Sequence, residues 1–450
     1  MNPKIITIET PTLGNRSYLA HDGAVAFAID PQRDIDRVLA AAAEAGVEIT
    51  HVFETHIHND YLTGGLALAE ATGARYHVNA ADPVSFERTP VGDGDVVEVS
   101  PTMHVRAIAT PGHTYTHLSY ALSTPASDGS AKDSAESVAV FTGGSLLFGA
   151  TGRPDLLGAE HTHDLVHHQH ASARRLAQLP DATAVLPTHG FGSFCSSGST
   201  SEVDSSTIGA EKKQNPALSQ DAEEWGAKTL AGLDADPAYY AHMSPENSRG
   251  PSAADLTAPE PADRATLAQR IDAGEWVVDL RSRTAYAAGH VVGTLNIGLD
   301  GQFATYLGWL IPWGTAVTLL GETAEDVAEA QRELVRIGVD DLAGAATGTP
   351  HDWTSQPLGS FRMATFADLA EVRHHRPVTV LDVRREKEYA AGHVDGAVSM
   401  PLHTLLERWD DVSAGEVWVH CASGYRSSIA ASVLAARDVA VVGIDDSFDD

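Results

Sequence analysis

The sequence predicts an α/β protein of several domains. Short apolar segments rich in β-branched residues alternate with helical segments along most of the chain, which is typical of α/β folds. With 450 residues, the chain is longer than one ordinary hydrophobic core can organise. The last third also repeats itself, because Asp279 and His290 recur as Asp382 and His393 at a constant separation of 103 positions (382−279 and 393−290). A duplicated domain therefore follows a larger N-terminal part.

The composition argues against several functions. Sixty-one acidic and 30 basic residues give a net charge of −31, so nucleic acids and anionic membranes would be repelled. No run of about 18 apolar residues suggests a membrane span, and the first residues lack a signal-peptide pattern. We therefore expect a cytoplasmic protein without nucleic-acid or membrane partners. The only two cysteines, Cys195 and Cys421, lie far apart in sequence, which argues against a disulfide framework.

The elements of the N-terminal part follow from periodicity and turn residues. β-branched or aromatic runs bounded by Gly and Pro predict strands, and Ala- and Leu-rich stretches ended by Gly46 or Gly73 predict helices. The predicted strands are residues 5–8, 16–20, 24–30, 49–53, 96–99, 103–108 and 184–190, and the predicted helices are 34–45, 62–72 and 163–179. The hairpin 118–142 carries a Ser/Ala/Asp-rich tip, 127–137, that we interpret as a disordered insertion.

The histidines at strand ends are the strongest functional signal. The strand 49–53 leads into THIHNDY (residues 55–61), in which His56 and His58 are one residue apart. Side chains two positions apart on an extended segment point the same way, so both imidazoles can reach one metal ion. Two later loops, 111–117 and 187–190, add His113 and His189. The sequence therefore predicts a metal site.

This order of loops resembles the metallo-β-lactamase fold, which implies an αββα sandwich over residues 1–210. The resemblance implies a first ion held by His56, His58 and His113, and a second held by Asp60, the residue after it and His189. A carboxylate in the Thr-Gly loop normally bridges the two ions. Here Tyr61 stands at the second-ion position and Gly144 at the bridging position. A phenol is a poor ligand near neutral pH and glycine has no side chain, so a single-ion site is expected.

Residues 211–262 are polar and contain several prolines. We interpret them as a linker that wraps around the protein, with one amphipathic helix at 222–233. The two repeats that follow, 263–350 and 360–450, resemble rhodanese domains, each with a central parallel sheet.

The second repeat contains a loop suited to sulfur chemistry. Cys421 follows a buried strand and precedes an Ala-rich helix, so backbone N–H groups turn toward its sulfur. The loop from Cys421 to Arg426 resembles the active loop of rhodanese. The resemblance implies that Cys421 is the nucleophile and persulfide carrier, that Arg426 stabilises the anion, and that Gly424 permits the tight curl beside the substrate. A shift of 103 places Thr318 opposite Cys421, so the first repeat is expected to carry no sulfur.

The whole arrangement is similar to persulfide dioxygenases fused to rhodanese domains. It implies one Fe(II) per chain, with a small thiol persulfide and dioxygen as substrates. The expected ligands are His56 and His113, with His58, Asp60 or Asp155 in place of the absent acid. Arg153 is the candidate contact for the substrate carboxylate, with Lys212 and Lys213 as weaker candidates, and homo-oligomers are expected.

Two alternatives stay open. The chain can be a zinc-dependent thioesterase similar to glyoxalase II, or a sulfurtransferase whose N-terminal domain has lost its chemistry. We interpret His163, His167 and His170 as a solvated helix face rather than a second metal site. Cys195 is expected to line the pocket without a catalytic role.

Overall fold

The structure is a computed structural model that describes residues 3–124, 137–198, 203–412 and 415–449. The predicted insertion tip therefore lies, except for Ser137, outside the described residues. The chain divides into two compact units, residues 1–254 with 336–338, and residues 255–335 with 339–450. Among the described residues, no helix combines the length and apolar character needed to cross a membrane.

The first unit contains two mixed sheets and the helices that cover them. Its strands are β1 (Lys4–Thr10), β2 (Asn15–His21), β3 (Val25–Ile29), β4 (Glu48–Phe53), β5 (Arg75–Asn79), β6 (Thr89–Val91), β7 (Val96–Ser100), β8 (Met103–Ala109), β9 (Leu118–Ser123), β10 (Ser137–Gly143), β11 (Ala184–Pro187) and β12 (Ser206–Thr207). Its helices are α1 (Asp36–Ala45), α2 (Gly65–Thr72), α3 (Ala159–Leu176), α4 (Ile208–Gln214), α5 (Pro216–Ser219), α6 (Ala222–Gly232) and α7 (Tyr240–Arg249).

The two sheets pack face to face, each covered by helices on its outer side. The described strands form sheets in the orders β1-β2-β3-β4-β5-β6 and β12-β11-β10-β9-β8-β7. Aromatic residues such as Phe27, Phe53 and Phe141 fill the space between the sheets. Helices α1 and α2 pack on the outside of the first sheet, and α3 and α6 on the outside of the second. The predicted αββα sandwich is confirmed.

Most predicted elements of this unit are present, and their ends follow the expected chemistry. Helix α1 ends at Gly46, whose left-handed backbone (φ 67°) lets its N–H bond the carbonyls of Ala42 and Ala43. The sequence did not predict β5 or β6, because polar residues interrupt their apolar pattern.

The segment predicted as a wrapping linker is mainly helical up to Arg249. Helices α4 to α7 occupy it, and Trp225 of α6 is buried against α3. The prediction of an irregular linker rested on the prolines of this segment. Pro216 starts α5, where a missing N–H costs nothing, and Asn215 caps that helix through its side chain. Pro245 lies inside α7. These prolines therefore mark helix positions and not an irregular chain.

The second unit contains two parallel sheets. Its strands are β13 (Trp276–Asp279), β14 (Leu295–Asn296), β15 (Val317–Gly321), β16 (Leu342–Thr347), β17 (Arg362–Ala364), β18 (Thr379–Asp382), β19 (Val398–Ser399), β20 (Val417–His420) and β21 (Val441–Ile444). Its helices are α8 (Arg264–Asp272), α9 (Arg283–Ala288), α10 (Phe303–Leu310), α11 (Ala324–Arg336), α12 (Pro350–Trp353), α13 (Phe366–His375), α14 (Glu386–Ala391), α15 (Leu405–Arg408) and α16 (Tyr425–Ala435).

The two sheets share one strand order, so the sequence repeat is also a structural repeat. The first sheet has the order β14-β13-β15-β16, and the second has β19-β18-β20-β21 with β17 added at its edge. The repeated Asp-x-Arg motif makes the same contacts twice. Arg281 bonds Asp279 and the Gly289 carbonyl, and Arg384 bonds Asp382 and the Gly392 carbonyl.

Strand pairing corrects the predicted register of the first repeat. Asp279 pairs with Leu320, whereas Asp382 pairs with His420. The residue that matches Cys421 is therefore Gly321, and the placement of Thr318 at that position was wrong. The shift of 103 holds through β14 and β19 (398−295) and falls to 100 at β15 and β20 (420−320). Gly321 also has no thiol, so the expectation that this repeat carries no sulfur is unchanged.

Candidate functional site

Five imidazoles meet where the strand-end loops of the first unit converge. His56 follows β4, His113 and His117 lie between β8 and β9, and His189 follows β11. The rings of His58, His113, His117 and His189 have their centroids 4.1, 4.8, 4.9 and 5.3 Å from that of His56. All five side chains are buried. The structure therefore brings together every histidine that the sequence predicted as a ligand.

Three of these rings have a fixed tautomer that leaves Nε2 without a hydrogen. Nδ1 of His113 donates to the carbonyl of Arg153 at 2.8 Å. Nδ1 of His189 faces Oδ2 of Asp60 and Oδ1 of Asn15, both at 3.1 Å. The Thr55 hydroxyl donates its own hydrogen to Asp30 and therefore accepts from Nδ1 of His56, which lies 2.9 Å away. This second layer of hydrogen bonds is how proteins orient imidazoles toward a metal ion.

The unsatisfied atoms of this cluster fit a bound cation. Nε2 of His56 and Nε2 of His189 are 3.3 Å apart, so two lone pairs face each other. Nε2 of His113 and Oδ1 of Asp60 are buried without a hydrogen-bond partner. Buried polar atoms are rarely left unpaired, and a cation would satisfy these. Burial, with help from neighbouring imidazoles, lowers the pKa of His113 to about 3, so the ring is neutral and able to act as a ligand.

His58 is hydrogen-bonded through one ring nitrogen to buried carboxylates. Its Nε2 lies 3.1 Å from a Glu54 oxygen and 3.4 Å from an Asp30 oxygen, and both carboxylates are buried. Burial opposes protonation, but the Asp30 and Glu54 carboxylates outweigh it and raise the pKa of His58 to about 10. The imidazolium therefore neutralises a buried acid pair, and only its Nδ1 is unpaired. His58 also belongs to a group, with His56 and His189, whose ligand atoms lie within 4.8 Å of one another, so its role as a ligand stays a prediction.

Asp60 orients His189 in this structure. One of its oxygens accepts from Asn15 at 2.9 Å and from Nδ1 of His189 at 3.1 Å. Burial would raise the pKa of Asp60, but the His189 ring and these hydrogen bonds hold it well below its usual value. The carboxylate is therefore ionised and positions the neighbouring ligand.

Tyr61 and Gly144 offer no good metal ligand at two positions of the dinuclear pattern. Burial raises the pKa of Tyr61 well above its usual value, so its phenol stays protonated. Its hydroxyl lies 3.0 Å from Nε2 of His58. At Gly144, a Cβ atom would lie only 2.3 Å from Cδ2 of His113. The His113 ring therefore occupies the space that a bridging carboxylate would need.

His117 is the member of the cluster that sequence reasoning missed. Its Nε2 accepts the N–H of Gly144 at 3.0 Å, and its Nδ1 donates to Thr110. Both nitrogens are therefore used inside the protein, and the ring stacks on His56. The signal was available, because His117 ends the same loop that carries His113.

Among the described residues, two groups in this cluster have ligand atoms within 4.8 Å of one another. One is His56, His58 and His189, and the other is His113, His189 and Cys195. A third group, Asp30, Glu54 and His58, is the ion-paired set described above. The residues present therefore fit a nitrogen-rich ion site. They do not offer a carboxylate at position 144.

Arg153 does not present a free guanidinium to a substrate. It is buried and bonds both oxygens of Asp155, at 2.7 and 2.8 Å, and the Asp234 carbonyl. Asp155 is thereby also engaged. The predicted substrate contact of Arg153 gains no support from this geometry. Lys212 pairs with Asp181 at 2.6 Å on the surface.

The histidines of α3 do not form one solvated face. The side chain of His163 is 82% exposed and that of His167 is 38% exposed. His170 is buried, with its Nε2 3.1 Å from the Gln220 carbonyl and its ring against Trp225. The interpretation as a solvated face holds for His163 and His167 and is wrong for His170.

The Cys421 loop connects β20 to the N-terminus of α16, as the sequence predicted. The thiol is buried, and its sulfur accepts the N–H of Gly424 at 3.2 Å. Gly424 has φ 99°, and a Cβ there would meet the Asp445 carboxylate. Only glycine can therefore take this turn, which directs a backbone donor at the sulfur.

Arg426 is already paired. Its guanidinium bonds both oxygens of Glu388 at 2.7 Å. Burial would raise the pKa of Glu388, but the Arg426 guanidinium lowers it to about 2, so the carboxylate is ionised near neutral pH. The predicted role of Arg426, stabilising a sulfur anion, therefore competes with this ion pair. Arg426 also lines a narrow pocket with Tyr306 and Trp309 of the first repeat.

Comparisons with known proteins find relatives of both the N-terminal part and the C-terminal part of the chain. Residues 365–449 match the rhodanese-like domain family. A hydroxyacylglutathione hydrolase of Polaromonas sp. is 34% identical over 169 residues, which are 37% of this chain and 57% of that protein. A hydroxyacylglutathione hydrolase of Rhizobium johnstonii is 30% identical over 195 residues, which are 42% of this chain and 68% of that protein.

A solved structure extends the similarity beyond the first unit. The crystal structure of a metallo-β-lactamase from Staphylococcus aureus is 28% identical, with a TM-score of 0.66. The match covers 77% of this chain and 99% of the other. The chain therefore belongs to the hydroxyacylglutathione hydrolase family of the metallo-β-lactamase fold, and it carries a rhodanese-like domain at residues 365–449.

Proposed function

We propose that the chain is a sulfur-handling enzyme with two activities. Cys421 transfers sulfane sulfur, and the histidine cluster holds an ion that supports oxidation of the sulfane sulfur of a small thiol persulfide to sulfite. The observation that carries the proposal is the Cys421 loop, in which a buried thiol at a helix N-terminus accepts a backbone N–H. The helix dipole and this donor stabilise negative charge on a sulfur carried by Cys421.

The transfer step follows from this geometry. The Cys421 thiolate attacks the outer sulfur of a donor such as thiosulfate, the S–S bond of the donor breaks, and sulfite leaves with the bonding electrons. The persulfide on Cys421 then carries the negative charge on its terminal sulfur, next to the Gly424 N–H. A nucleophilic acceptor such as cyanide or sulfite attacks that sulfur and releases the thiolate. No external oxidant or reductant is consumed in this exchange.

A direct experiment tests the transfer half of the proposal. After incubation of the reduced protein with thiosulfate, we expect intact mass spectrometry to show the addition of one sulfur atom, and peptide mapping to place it on Cys421. Addition of cyanide should remove it and form thiocyanate. Sulfur found on Cys195 instead, or on neither cysteine, would contradict the proposal.

The histidine cluster supports the second activity. The hydroxyacylglutathione hydrolase relatives are named for a thioester of a small thiol, and we extend recognition of a small-thiol derivative to this chain, with a persulfide in place of the thioester. The ion would be held by His56, His113 and His189, whose Nε2 atoms have no hydrogen. Ferrous iron in such a site supplies the activation of dioxygen. Asp60 and the Arg153 carbonyl keep the rings oriented.

The alternative reaction is thioester hydrolysis with zinc, favoured by the names of the relatives. We expect the protein loaded anaerobically with ferrous iron to consume dioxygen and form sulfite when glutathione persulfide is added. The zinc-loaded protein, assayed with a hydroxyacyl thioester of glutathione, is the comparison. Thioester hydrolysis without oxygen uptake would show the hydrolase. If neither reaction occurs while Cys421 still accepts sulfur, the N-terminal domain has lost its chemistry.

A further inference from the structure

The sulfur of Cys195 lies among the ligand atoms of the histidine cluster. Its sulfur is buried, and it lies with ligand atoms of His113 and His189 within 4.8 Å of one another. We propose that the first unit holds its ion through His113, His189 and the thiolate of Cys195. This inference rests on the proposed binding of an ion by the histidine cluster, and it changes which residues bind it.

The backbone of Arg153 fixes two of the three ligands relative to each other. Its N–H donates to the carbonyl of Cys195 at 2.8 Å, and its own carbonyl accepts from Nδ1 of His113 at 2.8 Å. The N–H of Cys195 in turn donates to the Ser193 hydroxyl at 3.1 Å. The two backbone hydrogen bonds of Arg153 therefore connect the loop that carries Cys195 to the ring of His113. Such a preset arrangement costs little to organise when an ion binds.

Both imidazoles are ready to act as ligands. Nε2 of His113 is fully buried and has no hydrogen-bond partner, although its ring is held in place through Nδ1. Asp60 holds the hydrogen of His189 on Nδ1, which leaves Nε2 of that ring bare as well. The thiol lies beside two bare nitrogens that protein atoms do not satisfy well. This is the second observation that points to a cation at the cysteine.

The thiolate would supply the negative charge that position 144 lacks. Two imidazoles with one anionic ligand leave open positions on an ion for a substrate, as in sites with two histidines and a carboxylate. Gly144 cannot provide that charge, and the His113 ring blocks a side chain there. On binding, the Cys195 S–H bond breaks, its proton leaves to solvent, and the sulfur lone pair forms the bond to the cation. No electron transfer is required.

Cobalt(II) tests this ligand set, because a thiolate bound to cobalt gives a near-ultraviolet charge-transfer band that imidazoles do not. We expect the reduced, metal-free, full-length protein to show this band on anaerobic titration with cobalt, saturating near one equivalent. Cys195→Ser should lose the band and keep weaker visible cobalt bands from the imidazoles. Cys421→Ser is the matched control and should keep the full band, since the chain has only two cysteines.

The outcomes separate this inference from the proposed function. Visible cobalt bands without a charge-transfer band in the unmodified protein would leave a histidine site and overturn the role of Cys195. A band that Cys421→Ser abolishes would overturn it as well. If cobalt gave no absorption at all, both the ligand set and the proposed ion site would be wrong, while sulfur transfer through Cys421 is judged separately by its mass shift.

Discussion

Replacing Cys421 by serine is expected to lower the rate of sulfur transfer from thiosulfate to cyanide by at least about a thousandfold, which is the usual scale for loss of a covalent nucleophile. A serine hydroxyl has nearly the same size and can still accept the Gly424 N–H that now bonds the sulfur at 3.2 Å. The loop should therefore keep its shape, and the loss would report on chemistry. The measurement is the initial rate of thiocyanate formation.

Cys195→Ser is the matched control for this prediction. Cys195 is also buried but belongs to the first unit and lies outside residues 365–449, which match the rhodanese-like domain family. The control variant should transfer sulfur at a rate close to that of the unmodified protein, and both variants should unfold at similar temperatures. Transfer that survives in Cys421→Ser and falls in Cys195→Ser would reverse the assignment of the two cysteines.

The sequence predicted the parts of the fold that depend on local pattern. Alternation of apolar segments and glycine-ended helices predicted most elements, whereas the αββα sandwich was implied by the family resemblance and the repeat by recurring sequence. The prediction failed where one residue type occurs in more than one structural setting or where the offset between the repeats changes. Pro216 looked like a linker residue but begins a helix, and a constant shift placed Thr318 where strand pairing places Gly321. An offset measured at one strand does not carry past a change in loop length.

In the candidate site, too, the sequence predicted some features and missed others. The spacing of His56 and His58 after a strand predicted a metal site, and the metallo-β-lactamase resemblance added His113 and His189 to it. Some of the partners that orient these rings come from distant strands and have no local signal. His58 is paired with Asp30, which is 28 positions away (58−30). The pairing of Arg426 with Glu388 likewise joins elements that only the folded repeat brings together.

The surroundings of Gly144 show whether the site only lacks one carboxylate or is arranged differently around the glycine. If position 144 were merely vacant, one substitution could introduce the bridging carboxylate, although Tyr61 would remain at the other position of the dinuclear pattern. The structure instead places the His113 ring in that space, and the N–H of Gly144 donates to His117. The space beside Gly144 is therefore filled by protein atoms, and any ion in this cluster is bound without a bridging carboxylate.

Gly144→Asp is therefore expected to destabilise the protein and not to restore a second ion. A Cβ at this position would lie 2.3 Å from Cδ2 and 2.7 Å from Cγ of His113, so the ring must move. Overpacking of this kind combined with a newly buried carboxylate costs about 3–5 kcal/mol in the free energy of unfolding. Urea unfolding of the metal-free protein measures this, with metal content determined in parallel.

The clash alone can be separated from the buried charge. Gly144→Ala adds only the methyl group and should lose about 1–3 kcal/mol, the steric share of the effect. Gly392→Asp adds the same carboxylate where a Cβ would meet nothing within 4 Å, and it should leave stability close to that of the unmodified protein. If Gly144→Asp unfolded like the unmodified protein and bound a second equivalent of metal, His113 would be free to give way. The bridging carboxylate would then be enough for a second ion to bind even with Tyr61 in place, and the expectation of a single-ion site would be wrong.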